Sequence, residues 1–518
     1  MDARDASGVA GLPLRRARLV VFLFAALTTV PLLAVHDLWH SDEARYAQVA
    51  REIVRDGDWI VMHVNQERYT EKPPLYFWCE ALLGKLAGDV GPFAARLPSA
   101  LAGAIGVLLC FELGRRLFDA RVGLTSALIL ATMQQWCWIS QRCALDVMLA
   151  TFVLAAVLLD EIGRSRGAAG RACSGAGWRI AAFAAAGAGF LVKGPPALVF
   201  FLAALIARSW AERDGCVLVR VPWMRGTLAL LAVAACWGAP WAERLGLDEV
   251  KRIVLHQTAG RMSEAFAHAQ KWHFYLRTVP AGAVPWSLAW IAFAWIAWRR
   301  RGRAAAASSG RDVGARFLLA WSALALVAFS CISGKRTLYL LPIFPALALL
   351  TARGLKQLAP SGRDLLLAAR RGAIALGLLA TAAGFVWLPL SDDGFSLGPI
   401  EVPSQSYRPL GELVRRESEA GRTVGLVDLR RHESILYYSG LAHLEILDAT
   451  GGGSADAGAA RLRELFARDG DRLEILAHAD DLARVAALLP YGVDEIERRS
   501  FDRRDYVLAR ARTAARSP

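Results

Sequence analysis

Two short segments carry most of the residues able to do chemistry. One reads His40-Ser41-Asp42-Glu43-Ala44-Arg45-Tyr46 and the other Tyr69-Thr70-Glu71-Lys72-Pro73-Pro74-Leu75. Both lie between long apolar runs, where charge is costly unless it is paired or used. Asp42 is suited to act as a general base or electrostatic stabiliser at a membrane–water boundary. It is equally suited to cap the helix that follows. Glu43 has the same chemistry open to it, or the plainer part of a first-turn acid. Lys72 precedes a predicted helix start, where its ammonium and the positive helix end both favour an anion, phosphate being the natural ligand. Pro73 and Pro74 remove N–H donors there, which leaves the lysine more of the contact. The plainer alternative is a lysine resting at lipid headgroups.

Further candidates lie downstream. Asp146 ends the run Gln141-Arg142-Cys143-Ala144-Leu145-Asp146. An acid at a span end suits a site, although an ion pair with Arg142 four residues earlier would also account for it. His256 and Arg261 share the run Leu255-His256-Gln257-Thr258-Ala259-Gly260-Arg261. A guanidinium binds phosphate with a two-point fork, which makes Arg261 a candidate clamp. His256 is a candidate metal ligand or proton carrier, although a lone histidine is more often neither. The acids and His256 are the right types to hold a divalent metal ion, but no spacing marks a metal site. Lys335 and Arg336 precede Tyr339 and the run Leu341-Pro342-Ile343-Phe344-Pro345.

The elements that must position these groups belong to a membrane scaffold. The chain has 518 residues, 55% of them hydrophobic, with mean hydropathy +0.32. That is too apolar for an ordinary soluble protein of this length. About eleven stretches approach the length of a bilayer crossing: 19–35, 97–113, 122–139, 145–162, 180–192, 197–210, 227–241, 279–298, 317–332, 337–351 and 373–390. The fifth and sixth are short and split by Lys193-Gly194-Pro195-Pro196. Alternate loops carry arginine clusters, such as Arg15-Arg16, Arg115-Arg116 and Arg299-Arg300-Arg301, which belong on the cytoplasmic side. Asp42, Asp146, Lys193, His256, Lys335 and the C-terminal tail then face the other side. The first span follows an Arg-rich start with no clean small-x-small cleavage site, so it reads as an anchor.

The predicted organisation is a membrane part over 1–392, with outer loops at 37–96 and 243–278, followed by a soluble α/β domain over 393–518. Within the first loop an amphipathic helix over 43–55 places Ala47, Ala50 and Val54 on one face, along the membrane surface. A second helix covers 75–86. In the tail, strands are expected at 423–429, 444–447, 473–477, 495–501 and 506–509, and helices at 457–467 and 480–489. Gly451–Gly453 with Ser454 reads as a linker, without the helix spacing of a phosphate loop. The net charge of +14 is mostly the topology signal plus this Arg-rich tail. It forms no stripe on one soluble domain, which argues against nucleic acid as a partner. The eight cysteines suggest no disulfide framework; only Cys137 and Cys143 are close enough in sequence and expected depth to pair.

Taken together, Asp42-Glu43-Ala44-Arg45-Tyr46, Gly57-Asp58-Trp59, Glu71-Lys72-Pro73-Pro74-Leu75, Arg142 through Asp146, Lys193-Gly194-Pro195, and Tyr339 with Leu341-Pro342 resemble the integral-membrane glycosyltransferases of the GT-C type. The nearest group contains the protein O-mannosyltransferases and the bacterial 4-amino-4-deoxy-L-arabinose lipid A transferase. The resemblance spans about residues 20–390. It implies a polytopic α-helical membrane enzyme with a catalytic acid at Asp42, oriented by Arg45. It implies that Lys72, Arg261 and Tyr339 hold the phosphate of an undecaprenyl-phosphate-linked sugar, and that Asp146 and Glu71 support the site. His256 falls in the family's second outer loop, with a looser match. The implied acceptor is lipid A or another glycan, reached from the periplasmic side of the bacterial inner membrane. Alternatives are transfer of another sugar to a glycan or protein, and transport of a lipid-linked sugar. Transporters, however, keep ionisable groups near mid-membrane on broken helices, whereas these charges gather at one face.

Overall fold

The computed structural model describes residues 13–39, 41–168, 172–255, 270–300, 312–332, 334–358, 364–393, 395–397, 400–402, 406–429, 432–448, 455–501 and 504–513. The chain is predominantly helical. In order come α1 (Leu14–Leu27), α2 (Ser41–Asp56), α3 (Leu75–Ala87), α4 (Pro92–Leu117), α5 (Ala120–Ala131), α6 (Gln134–Ser140), α7 (Leu145–Ala168), α8 (Ala172–Lys193) and α9 (Pro196–Glu212). After these follow α10 (Cys216–Val219), α11 (Trp223–Leu245), α12 (Leu247–Leu255), α13 (Phe274–Gly282), α14 (Leu288–Arg300), α15 (Val313–Ser330), α16 (Phe344–Leu358) and α17 (Leu365–Asp393).

Among the described residues five helices are long and apolar enough to cross a membrane: Pro92–Leu117, Gly175–Lys193, Val313–Ser330, Thr337–Leu358 and Leu365–Asp392. A sixth span results if α6 and α7, which meet at 113°, are taken as one. The chain is thus a multi-pass membrane protein. Several expected spans are interrupted instead of continuous. The stretch 279–298 breaks between Gly282 and Leu288, around Pro285, whose nitrogen has no hydrogen to donate. The stretch 122–139 divides at Thr132 and Met133, where the Gln134 N–H turns to the Val284 carbonyl at 3.1 Å. The split at Lys193-Gly194-Pro195-Pro196 is a sharp helix stop and restart. Gly194 takes φ +76°, the left-handed conformation that closes a helix, and Pro196 opens α9 where no N–H is needed.

Small residues let the spans approach closely. A Cβ on Gly123 of α5 would lie 2.7 Å from the Phe111 carbonyl oxygen and 2.8 Å from the Arg115 nitrogen, both backbone atoms of α4. Gly123→Val should therefore push the two helices apart and destabilise by roughly 1–3 kcal/mol, as overpacked cores do. Thermal unfolding in detergent checks this. Gly372→Ala is the control, since a Cβ there meets nothing within 4 Å. Equal unfolding temperatures for the two variants would show that the α4–α5 contact is not tight.

The segment expected to form the first outer loop contains two helices, α2 and α3. α3 matches expectation. α2 forms over the expected residues but is covered more fully than a surface helix would be. Gln48 and Glu52 are buried as well as Ala47 and Ala50, while Val54 is exposed. The physical reason is a second covering layer from the C-terminal part, which the amphipathic pattern did not foretell. Glu52 is satisfied there, accepting from Gln48 Nε2 at 2.9 Å and from the Asn65 N–H at 2.8 Å. Residues 63–64 and 67–68 form a short hairpin, β1 (His63–Val64) with β2 (Glu67–Arg68).

Beyond α17, β3 (Phe395–Leu397) pairs with β4 (Ile400–Val402). Then come α18 (Arg408–Glu419), β5 (Thr423–Val427), α19 (His432–Ser439), β6 (Glu445–Leu447), α20 (Ala455–Asp469), β7 (Leu473–His478), α21 (Leu482–Ala487), β8 (Val493–Phe501) and β9 (Arg504–Ala511). The five long-range strands make one sheet, ordered β6-β5-β7-β9-β8. β5 runs parallel to β6 and β7, and β9 is antiparallel to β7 and β8. Its two faces carry separate cores. Leu426, Leu476 and Leu508 pack with Leu410, Leu413 and Leu436, whereas Val427, Ile475 and Ala477 pack with Leu462 and Leu465. The period-2 alternation of strand side chains produces this division. The expected linker 451–454 lies outside the described residues.

This sheet unit is bolted to the helical body through α19. Tyr437 joins the core of the body, donating its hydroxyl to the Val90 carbonyl at 2.9 Å. The Arg51 guanidinium lies over the Tyr437 ring at 4.2 Å and donates to the Tyr437 carbonyl at 2.8 Å. The Tyr438 hydroxyl accepts from the Leu38 N–H at 2.6 Å. Asn65 bonds both backbone groups of Leu444.

Candidate active site

α2 begins at Ser41, so Asp42 and Glu43 occupy its first turn, where acids are favoured by the helix dipole. Being adjacent on a helix, the two side chains diverge by about 100°. Glu43 is buried in the protein, whereas the Asp42 side chain is partly exposed.

Glu43 is the hub of a buried ion cluster. Arg96 of α4, 0% exposed, donates Nε to Glu43 Oε1 at 3.1 Å and Nη2 to Oε2 at 3.4 Å. The remaining Arg96 donors reach the Leu33 and His36 carbonyls, each at 2.9 Å, and the Asp37 carbonyl at 2.7 Å. Arg142 adds a contact to Glu43 Oε2 at 3.4 Å and stacks on Trp138 at 4.1 Å. The Cys143 N–H donates to Glu43 Oε1 at 2.9 Å. Burial alone would raise the Glu43 carboxyl, but Arg96 and Arg142 hold it well below the usual carboxylate range. Burial, with Arg96 beside it, pushes the His36 imidazole down to about 3, so that ring is neutral. The cluster fixes the start of α2 against α4 and against the turn that opens α7.

Asp42 is held from two sides. Its Oδ1 accepts from Arg45 Nη2 at 2.5 Å and its Oδ2 from Arg336 Nη1 at 3.0 Å. Arg45 also reaches Glu71 at 3.4 Å and Glu433 of α19 at 3.8 Å. Asp146, buried at the start of α7, pairs with Lys193 Nζ at 2.5 Å. This corrects the expected partner, since Arg142 is drawn to Glu43 instead. Lys193 in turn lies over the Tyr339 ring at 4.9 Å. Lys335 is buried and spent on the Gln270 and Ile332 carbonyls.

The fold therefore gathers Asp42, Arg45, Glu71, Asp146 and Tyr339 at one end of the bundle. Lys72 is half-buried beside Glu71, on the segment entering α3. Arg115 closes the other end of α4, nineteen residues from Arg96 and so roughly 30 Å away. His256 and Arg261 lie outside the described residues. Arg96, Arg336 and Glu433 are the main additions to the predicted set. Arg336 carried a sequence signal, standing beside Lys335 before Tyr339. Arg96 and Glu433 carried none, because only tertiary folding brings Arg96 to Glu43 and Glu433 to Arg45.

Among the described residues no group of three or more His, Cys, Asp or Glu side chains is arranged to hold a metal ion. Asp42, Glu71 and Asp146 each face a cationic side chain, so a divalent ion fits those three poorly and no step is derived through one.

A model of the dolichyl-phosphate-mannose-protein mannosyltransferase family matches residues 71–238. Curated relatives match more of the chain. The undecaprenyl phosphate-alpha-4-amino-4-deoxy-L-arabinose arabinosyl transferase of Erwinia tasmaniensis is 30% identical over 402 residues, 76% of this chain and 69% of the relative. Its counterpart in Pseudomonas aeruginosa is 31% identical over 396 residues, 74% and 67% of the two chains. Among solved structures, ArnT from Cupriavidus metallidurans bound to undecaprenyl phosphate superposes with a TM-score of 0.73 at 20% identity, covering 95% of this chain and 97% of that one. The Archaeoglobus fulgidus oligosaccharyltransferase shares the fold more distantly, with a TM-score of 0.54 at 13% identity over 92% of this chain and 70% of that one. The two solved structures show that the fold is shared, and the extent of identity to the curated relatives shows that this chain belongs to the undecaprenyl phosphate-alpha-4-amino-4-deoxy-L-arabinose arabinosyl transferase family.

Proposed function

We propose that this chain transfers 4-amino-4-deoxy-L-arabinose from undecaprenyl phosphate to lipid A at the periplasmic face of the bacterial inner membrane. The observation that carries the reading is the Asp42 carboxylate, clamped between Arg45 and Arg336 at one end of the helical bundle. A lipid-linked donor presents its phosphate and sugar at that depth, so the reacting bond reaches the site without a soluble carrier.

The reaction breaks the bond between the anomeric carbon and the donor phosphate oxygen, and forms one from that carbon to an acceptor oxygen. The leaving phosphate gains negative charge, which Lys72, Tyr339 and Arg261 are placed in the sequence to receive. Asp42 takes the acceptor proton or, where the acceptor is a phosphate, aligns it; a phosphate needs little base strength and gains more from positioning. Arg45 and Arg336 hold the carboxylate in one orientation. Glu71 and the Asp146–Lys193 pair support it from either side. The division into a catalytic membrane part over 1–392 and an outward-facing α/β part over 393–518 belongs to the same proposal.

The test is reconstitution of the purified chain with undecaprenyl-phosphate-linked aminoarabinose and lipid A. A product heavier by one aminopentose residue supports the reading; lipid A of unchanged mass, with donor intact, overturns it. Lys72→Gln should weaken binding of undecaprenyl phosphate by roughly 10- to 100-fold, the size of one charge-assisted hydrogen bond. Titration of the lipid against the variant checks this, and unchanged affinity would remove Lys72 from the phosphate site.

A further inference from the structure

Arg45 is the only cation to which three acids of the site converge among the pairs described: Asp42 at 2.5 Å, Glu71 at 3.4 Å and Glu433 at 3.8 Å. One guanidinium cannot neutralise three carboxylates, and Asp42 alone has a second arginine. Glu433 is thus the acid served least well. Its side chain is 15% exposed, and its Oε2 is buried without a hydrogen-bond partner among the described residues. His432 approaches the other oxygen, Oε1, at 3.8 Å, too far for a hydrogen bond.

Tyr69 repeats the pattern independently. It is 5% exposed, and its hydroxyl is likewise buried without a partner among the described residues. Arg45, Glu71 and Asp42 all lie within electrostatic reach of that hydroxyl. Burial pushes its phenol well above the ordinary range, so it stays a neutral donor and acceptor. A buried polar atom left unpaired costs about 1–3 kcal/mol, and these two belong to residues that both face Arg45, whose own buried Nε also lacks a partner among the described residues, so the surroundings of Arg45 call for a polar ligand.

The ligand chemistry follows from the charges. An unpaired carboxylate oxygen accepts hydrogen bonds and favours a cation. The Tyr69 phenol oxygen adds a neutral acceptor on another residue that faces Arg45. A protonated primary amine, with three N–H donors in a compact head, matches both. The donor proposed above is a zwitterion, carrying a phosphate at the anomeric carbon and an ammonium across the ring. Its phosphate suits the lysine side of the site and its ammonium the acid side.

We propose that Glu433, delivered by α19 from the C-terminal sheet unit, forms with the Tyr69 hydroxyl a subsite for the protonated amine of the donor sugar, and that this subsite sets the preference for an amino sugar over a neutral one. The inference rests on the reading that the donor is an amino sugar. It gives the C-terminal unit a part in substrate choice in addition to covering α2.

The test compares two donors on the full-length protein: undecaprenyl-phosphate-linked aminoarabinose, and its arabinose analogue with a hydroxyl in place of the amine. Rates and binding constants are both measured, so that a donor too slow to transfer still reports. Glu433→Gln keeps the shape and removes the charge. The ratio of kcat/KM between amine and hydroxyl donors should fall by roughly 10- to 100-fold, mostly through KM, as expected for one charge-assisted hydrogen bond. Glu433→Asp should restore part of that ratio, and Tyr69→Phe should lower it by less than Glu433→Gln does. Equal losses with both donors would mean that Glu433 only docks the sheet unit, and would overturn the proposal; an unchanged ratio would do the same. If the wild-type protein handles neither donor, or only the neutral one, the aminoarabinose reading fails and takes this inference with it. A wild-type preference for the amine that survives Glu433→Gln sinks the inference alone.

Discussion

An Asp42→Asn enzyme should accumulate normally in the membrane and lose transfer by roughly 10²–10⁴-fold, the usual span for removing a general base. The amide has nearly the shape of the carboxylate, so α2 keeps its first turn. Its chemistry differs in two ways. It carries no charge to take or orient an acceptor proton. It also presents an NH2 group to one of two arginines, where the carboxylate offered an acceptor to each. The measurement is mass spectrometry of lipid A from cells lacking the protein, complemented with wild type or with the variant, alongside turnover of the purified enzyme. Loss of the aminopentose mass in the deletion, restored by wild type only, is the expected pattern. Full restoration by Asp42→Asn at normal expression would move the catalytic role to another group. Glu71, 40% exposed and 3.4 Å from Arg45, gives the contrast: its pair with Arg45 contributes little to stability.

Glu43→Gln should be the more damaging change to the fold. It removes the one anion that faces the fully buried Arg96 and the nearly buried Arg142. Breaking such a buried pair from one side typically destabilises by about 3–5 kcal/mol, because the remaining charge has lost both water and partner. Thermal unfolding in detergent should show a clear drop, and the variant should be recovered in lower yield. A second variant separates charge from packing: Arg96→Met with Glu43→Gln together should recover part of the loss, since no buried charge is left facing Glu43 from α4. An unfolding temperature equal to wild type for Glu43→Gln alone would mean water enters the cluster. The pH dependence has a definite sign. A carboxyl held below its unfolded value contributes stability above the ordinary carboxylate range, which is lost as pH falls through and below that range.

Much of this site was visible in the sequence because its residues stand in short runs. Asp42, Arg45, Glu71 and Lys72 are close in sequence, and a charged residue between apolar runs is conspicuous. The helices over 41–56 and 75–87 follow from a Ser-Asp start with first-turn acids and from a Pro-Pro start. In the tail, β5, β7 and β9 follow from short apolar runs that are buried almost throughout, and α20 from helical spacing. What escaped is of another kind. α19 is short and mixes Ser with Tyr, so no period marks it. Arg96 looks like any arginine near a span end until tertiary packing seats it on Glu43. Arg142 and Asp146 have ideal helical spacing for each other, yet the turn between α6 and α7 sends one to Glu43 and the other to Lys193. Local spacing gives a pair only where the helix is continuous across it.

The hydrogen bond between Leu38 and Tyr438 joins residues 400 apart in the chain. At synthesis rates of about 5–20 residues per second, the second partner leaves the ribosome roughly 20–80 s after the first. Through that interval the nascent chain inserts its spans while the helix bearing Asp42 still lacks its outer flank, because α19 has not been made. A product released early would carry the acids and arginines of the membrane part with one wall of the pocket missing. Synthesis of α19 thus acts as a late assembly step of the active centre, which ties the onset of activity to the translation of residues far from those that carry its acids.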